Sequence, residues 1–435
     1  MTGPFAGITV VEFGQFVVVP FCAQLMADAG ARVIKVEPPT GDSYRSGTPQ
    51  LAPGETRQFM IKNRGKESIS IDLSHPDAAP VVRALIEAAD VVLVNLSPAA
   101  VARRGLDYDS VAAINPRAVY GAVTAYGQIG PEAPLPGMDV VVQARSGLMT
   151  SLAAEEDGLP FHSEVQAADY STSILLFGGV SAALYARERT GKGQRVDASL
   201  LGGALTLQNN SLAHVPAADD WRREFVEERL PEMRRAGASR TEIEDARRDM
   251  RPDHPAHIAH YRVFRTADGG IAVGAGSPPA RRRLAEVAGI DEALMTTDMA
   301  AFARRLAETL ATRPSAEWVE LLRARDVPVA VVRHVEEMFF DPHVAAEGLM
   351  ADYDHETVGR YRALGAPLRM SGTPFASAGA SPPFARHTAP ILTELGFSGP
   401  QIDALRDARA VVIGDPAPAD AAPADAAESP RRATS

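Results

Sequence analysis

Cysteine is nearly absent from this chain of 435 residues: Cys22 is the only one. That excludes a disulfide framework and any zinc site built on cysteine clusters, and Cys22 reads as a small packing residue of the first helix. Basic charge is also scarce. With 44 Lys and Arg against 55 Asp and Glu the net charge is -11, which argues against non-specific binding to nucleic acid. Any anionic ligand must then be held by a local group of donors. Long apolar runs are missing too. The stretch from Phe16 to Met26 is too short to span a bilayer and contains Pro20. Met1-Thr-Gly-Pro4 places no basic region ahead of it, so neither a membrane span nor a signal peptide is expected and a cytoplasmic location is. The first strand-to-helix turn, Gly14-Gln-Phe-Val-Val-Val-Pro20, is not GxGxxG, so no nicotinamide or flavin is expected. His254, His257 and His260 are spaced by three. Pro252 and Pro255 break any helix there, and no acidic or cysteine ligand has the matching spacing, so no metal is expected.

What is present describes a globular protein. The chain is 46% hydrophobic and 23% charged, ordinary for a packed fold, and its length calls for two or more domains. Apolar runs at Ile8–Phe13, Arg32–Glu37, Ser68–Leu73, Val91–Val94 and Ala118–Val123 read as strands, with Gln194–Ser199 as another. Helical spacing separates several of them, from Phe21 to Asp28 and from about Pro76 to Ala89. Ser74 is placed to cap the latter, with Asp77 three residues on. Strands without a polar face that alternate with helices predict an α/β fold with a parallel sheet covered on both sides. Ligands of such sheets collect outside the carboxyl ends of the strands. Here those ends are Gly14–Val18, Glu37–Pro39, Asn95–Pro98 and Thr124–Gly127.

Further along, residues 172–187 are small and apolar and read as a buried helix. Over half the residues from Asp219 to Arg251 are charged, with balanced sign, which predicts solvated helices broken near Pro231 and Gly237. A second unit opens near Tyr261 with a hairpin over Val263–Val273, followed by helices over Ala300–Ala311 and Ala316–Ala324. The last residues, 415–435, are mostly Ala, Pro and Asp and are expected to be disordered.

Several segments, in a shared order, carry a resemblance. They include Gly7–Phe13, Ala27–Pro38 with Gly41-Asp42, Asn63–Ile69 with Asp72-Leu73, and Ala89–Asn95 through Gly105-Leu106. Asn115-Pro116, Tyr126–Gln128, Gly130-Pro131 and Asp139–Ala144 continue the series, and Arg187–Gln194 with Val196–Leu200 is its most characteristic member. In the last third stand Asp341–His343, Glu347–Leu349, Ser371–Pro374 and His387-Thr388. Together these resemble the class III CoA-transferases, the family of formyl-CoA transferase and carnitine CoA-transferase.

The resemblance implies a Rossmann-like large domain built from both chain ends, a smaller α+β domain, and an interlocked homodimer. On that layout residues 1–215 and 345–414 form the large domain, 216–258 a charged helical insert, and 259–344 the small domain. It also implies a nucleophile. The family's catalytic carboxylate closes a short loop before the small-residue helix, and the matching loop here, Glu164–Asp169, ends in Asp169. From its residue type alone Asp169 reads equally as a helix N-cap. The reaction implied moves CoA from an acyl-CoA to a free carboxylic acid through an aspartyl mixed anhydride and an aspartyl-CoA thioester. Coenzyme A and acyl-CoA are then substrates, no metal is needed, and no nucleic acid or membrane is a partner. The family's CoA contacts fall on Val17, Val18, Ile71, Asn95, Leu96, Arg103 and Leu200, with Arg104 and Lys66 as further phosphate candidates.

This chain also departs from the pattern. Val17-Val18-Val19 stands where formyl-CoA transferase has Gln-Ala-Gly, Leu96 replaces an aromatic residue, Pro136 replaces a basic one, and the glycine-rich closing loop has no counterpart. These apolar replacements point to an acyl group larger and less polar than formyl. Racemases of the same superfamily have a histidine where this chain has Met138, which counts against an α-methylacyl-CoA racemase. An intramolecular CoA-transferase and a catalytically silent CoA-binding homologue remain as alternatives.

Overall fold

The computed structural model describes residues 3–152, 154–251 and 259–414. His254, His257 and the 415–435 tail lie outside the described residues. The chain divides into two compact units, the larger drawn from Met1–Ala154, Phe161–Leu212 and Ala346–Ser435, the smaller from Glu155–Pro160 and Ala213–Ala345.

The larger unit is organised by a seven-stranded sheet. Its strands are β1 (Thr9–Phe13), β2 (Arg32–Glu37), β3 (Glu67–Ile71), β4 (Val91–Val94), β5 (Val119–Thr124), β6 (Arg195–Ser199) and β7 (Val411–Val412), in the spatial order β6-β5-β4-β1-β2-β3-β7. All neighbours are parallel except β7, which runs antiparallel to β3. Successive side chains of a strand point to opposite faces, and both faces here are apolar. Val10, Val33 and Leu93 pack on one side with Cys22 and Met26, whereas Val11, Ile34 and Val92 pack on the other with Leu85 and Ile402. Strand order reverses between β1 and β4, and the carboxyl ends on either side of such a switch point leave a crevice.

Helix α1 (Val18–Asp28) starts three residues earlier than the sequence suggests. Pro20 falls in its first turn, where the missing N–H has no intrahelical partner to lose. Ser74 does not cap the helix expected from Pro76. Its hydroxyl donates to Asp72, while the Asp77 N–H donates to His75 Nδ1 over a short turn, and the α-helix itself spans Ala79–Ala88.

The turn from β1 into α1 is held by buried charge. Lys35 Nζ donates to Glu12 Oε1 (2.9 Å) and to the Gly14 carbonyl (2.8 Å) and pairs with Asp42 (2.9 Å). Lys66 Nζ donates to Glu12 Oε2 (2.6 Å), the Pro20 carbonyl (2.8 Å) and Asn63 Oδ1 (2.8 Å). Lys66 is therefore not a phosphate ligand, because all three of its N–H donors are spent inside the fold. Burial pulls its pKa down to about 8, with Glu12 pulling the other way.

The smaller unit contains an antiparallel sheet of Tyr261–Arg265, Gly270–Gly274 and Val329–Val331, so the expected hairpin is present. Helices Pro278–Ala288, Met299–Leu310 and Ser315–Arg323 cover it around Phe264, Leu284, Phe302 and Trp318. The charged segment forms helices, as expected, but it does not break at Pro231. A π-helical turn over Phe225–Arg229 leads directly into Leu230–Arg235, and Pro231 takes an early position of that piece. Among the described residues no helix is long and apolar enough to cross a membrane.

Removing Glu12 would leave two lysines buried without their shared carboxylate. Breaking such a group costs about 3–5 kcal/mol. Urea unfolding of Glu12→Ala should show a loss of that size, and a loss within error of zero would mean that the network does not hold the turn.

Candidate active site

A cavity of about 300 Å³ opens at the switch point, floored by the residues that follow β1, β4 and β5. Its first wall is the β1–α1 turn. Gly14 permits this turn, since a Cβ there would lie 2.4 Å from Val19 Cγ1. Phe16 has φ of 66°, a left-handed conformation uncommon outside glycine. Its ring meets the edge of Tyr44 at 5.4 Å. Val17 and Val18 face the cavity, while Val19 is fully buried in the core.

Asn95 clasps this turn from the end of β4. Gln15 N donates to Asn95 Oδ1 (3.1 Å), and Asn95 Nδ2 donates to the Gln15 carbonyl (2.8 Å). The amide thus fixes one strand end against the other while it borders the cavity. Leu96 and Ser97 follow it, and the Ser97 hydroxyl caps the helix Pro98–Arg103. Leu200, the first residue of the helix Leu200–Leu207, lines the far side.

Asp169 lies in the same cavity, 8% exposed. It is the third residue of a 24-residue helix, Ala167–Thr190, and so does not cap it. That corrects the N-cap reading. The cap comes from a separate helix, Asp139–Arg145: Asp139 Oδ1 accepts the Asp169 backbone N–H at 3.0 Å, and Gln143 Nε2 donates to the other Asp139 oxygen. Among the described residues no donor bonds the Asp169 carboxylate itself. Burial raises its pKa to about 7, the Asp139 charge adds to that, and Lys62 opposes it. A carboxyl group so placed is desolvated, aimed into a cavity and titrating near neutrality, which suits a nucleophile or a proton carrier.

Six sequence candidates therefore converge: Val17, Val18, Asn95, Leu96, Asp169 and Leu200. Three do not. Ile71 is fully buried in the core against β7 and offers no surface to a ligand. Arg103 and Arg104 lie at the end of the helix Pro98–Arg103, outside the cavity lining; Arg103 is exposed, and Arg104 donates to the Ala100 carbonyl. Sequence reasoning gave no role to Asp139, Lys62 or Tyr44. Nothing in the sequence separates Lys62 from the neighbouring cations Arg57, Arg64 and Lys66; the structure does, by setting it against the rings of Tyr44 and Tyr170. Met138 lines the cavity beside Asp139, in the place where a racemase would need histidine.

Comparison with known proteins gives this geometry a family. The profile of CoA-transferase family III matches residues 5–388. A succinate–glutarate CoA-transferase from Agrobacterium fabrum is 34% identical over 90% of this chain and 96% of its own length. An acetyl-CoA:oxalate CoA-transferase from Acetobacter aceti is 30% identical over 91% of this chain and 94% of its own. The crystal structure of a CAIB/BAIF family protein from Brucella suis superposes with a TM-score of 0.70 at 30% identity, covering 91% of this chain and all of that one. The curated relatives are named as transferases, and their names favour neither the racemase nor the silent-binder alternative. This chain belongs to CoA-transferase family III and is a class III CoA-transferase, an enzyme that uses CoA thioesters as substrates.

Proposed function

We propose that CoA transfer in this enzyme runs through Asp169. The observation that carries this reading is the carboxylate itself: buried, lining the cavity at the switch point, and among the described residues without a hydrogen-bond donor. An Asp169 oxygen attacks the thioester carbonyl carbon of the donor, the C–S bond breaks, and CoA leaves as its thiolate beside a mixed anhydride. The thiolate then attacks the aspartyl carbonyl, the anhydride C–O bond breaks, and the donor acid departs with the carboxylate charge. The acceptor carboxylate attacks the resulting aspartyl-CoA thioester, and the same two steps run in reverse. Each step exchanges one acyl bond for another, so the thioester energy is kept and no ATP is consumed. Positioning supplies most of the rate in such a scheme, and exclusion of water protects both intermediates.

The cavity suits the pantetheine arm and acyl group through Val17, Val18, Leu96 and Leu200, with Asn95 holding the floor in place. Arg103 and Arg104 are assigned to the CoA phosphates, where Arg103 is solvent-exposed and free to reach an anion. The apolar walls fit an acyl group larger than formyl, and succinyl-CoA with glutarate is the first pair to test. We also assign a homodimer. The helix that carries Asp169 exposes Ile174 (57%) and Tyr185 (60%), and Val165 just before it is 60% exposed. An interface of the kind the family resemblance implies would cover such side chains.

The deciding experiment incubates the protein with mixed acyl-CoAs and free carboxylic acids without ATP and reads products by mass spectrometry. New acyl-CoA species should form with the wild type and fall to background with Asp169→Ala. A variant as active as wild type would overturn the assignment. Since the attacking form is the carboxylate and its pKa is raised, kcat/KM should climb with pH through about 7. Light scattering should give twice the 46.2 kDa chain mass, and a monomer would remove the dimer assignment.

A further inference from the structure

Lys62 is a buried cation that the transfer scheme leaves unused. It is 1% exposed, on the helix Arg57–Asn63, whose first turn is capped by the Thr56 hydroxyl. Its Nζ donates to Gln58 Oε1 at 2.7 Å, one helical turn back. The ammonium also lies 5.1 Å from the Tyr44 ring centroid and 5.9 Å from that of Tyr170, the residue next to Asp169 in sequence. Two aromatic faces attract a cation without neutralising it, and among the described residues no carboxylate is within ion-pair distance of it. A buried lysine usually has a paired counter-charge. This one has instead the field of Asp169, the residue before Tyr170 in the same helix, and of Asp42.

We propose that Lys62 is a positioning residue for the transfer reaction: its ammonium, steered by Gln58, Tyr44 and Tyr170, favours the anionic form of Asp169 and the anionic tetrahedral states formed there. This rests on the reading of Asp169 as nucleophile. The charged and titratable groups that bear on the pair come from several elements. Asp139 lies on the helix that caps Asp169, Tyr44 and Asp42 lie on the segment after β2, and Tyr170 lies on the nucleophile's own helix. Asp139 disfavours a second negative charge at Asp169, and Lys62 opposes it. Tyr44 does not compete as an anion, because burial first and Asp169 second push its phenol up to about 12. Burial pulls Lys62 down to about 8 while Asp169 and Asp42 draw it up. The productive pair is a protonated Lys62 with an ionised Asp169, so the wild-type profile should have an acid limb set by Asp169 and an alkaline limb set by Lys62.

The test does not depend on turnover. Aspartate labelled with 13C at the side-chain carboxyl is incorporated into the full chain, and Asp169→Asn identifies the Asp169 signal by its loss. In the wild type that signal should titrate near 7. In Lys62→Met the midpoint should rise by about one pH unit, the low end of the effect of an adjacent cation, and in Lys62→Arg it should stay near its wild-type value. Lys62→Gln, which can still hydrogen-bond Gln58, serves as a second neutral variant if the methionine variant misfolds. In the exchange assay the acid limb of kcat/KM should move up with the midpoint, and the alkaline limb near 8 should vanish. A merely structural lysine would lower the rate without moving either limb. A midpoint unchanged in both neutral variants overturns the proposal. An active Asp169→Asn would instead overturn the nucleophile, whatever the titration shows.

Discussion

The site depends on one buried carboxylate that is not part of it. Glu12, in the middle of an otherwise apolar strand, receives Lys35 on one oxygen and Lys66 on the other. Each lysine then reaches onward to a backbone carbonyl, Lys35 to Gly14 and Lys66 to Pro20. Those two carbonyls bracket the turn from which Gln15, Phe16, Val17 and Val18 line the cavity. A turn with Phe16 at positive φ does not persist unless its surroundings over-determine it. Here they do so from two sides, through the lysines below and through the Asn95 amide across the switch point.

Glu12 and Asp169 are both buried carboxylates, and they differ in what surrounds them. Glu12 has a cation on each oxygen. Among the described residues Asp169 has none in contact, although it lies in the first turn of a helix, where N–H groups favour negative charge. Asp139 takes its backbone N–H, which fixes the helix start and spares the Asp169 side chain from doing so. Burial raises the Asp169 pKa, and a carboxylate of higher pKa is the better nucleophile once ionised. It is also ionised less often at neutral pH. Asp139 and Lys62 pull this balance in opposite directions.

Much of this was legible in the sequence, and the reason differs between the parts that were and were not. Strands β1, β2, β4 and β5 are largely apolar, so their runs located them to within a residue or two and identified the carboxyl ends as the expected ligand-binding edge. The family resemblance then placed Asp169 on its loop. Neither source reveals where a charged side chain goes. Lys66 sits in a polar turn and reads as a surface donor, but its partner Glu12 is 54 residues away and faces it from inside the sheet. Ile71 failed for the opposite reason: a residue at a strand end is near a ligand only if that strand borders the crevice, and β3 lies two strands from the switch point, covered by β7. Pro231 was read as a helix break because proline removes a hydrogen bond, a loss that the preceding π-helical turn accommodates.

The triple valine shows how a run of identical residues can divide its duties. Val17 and Val18 face the cavity and present hydrocarbon to it. Val19 faces away and packs against Gly14 so closely that any side chain at Gly14 would collide with it. Lengthening or reshaping Val19 would therefore move the turn rather than the pocket wall, while changes at Val17 and Val18 would alter the wall and leave the turn on its lysines. Cavity wall and turn geometry are thus carried by adjacent residues that answer to different constraints: the first two to the cavity, the third to the core. On the proposed route an acyl-aspartyl anhydride would meet the apolar side chains of Val17 and Val18 rather than a polar group able to hold water near the carbonyl carbon, which would favour transfer to a second carboxylate over hydrolysis.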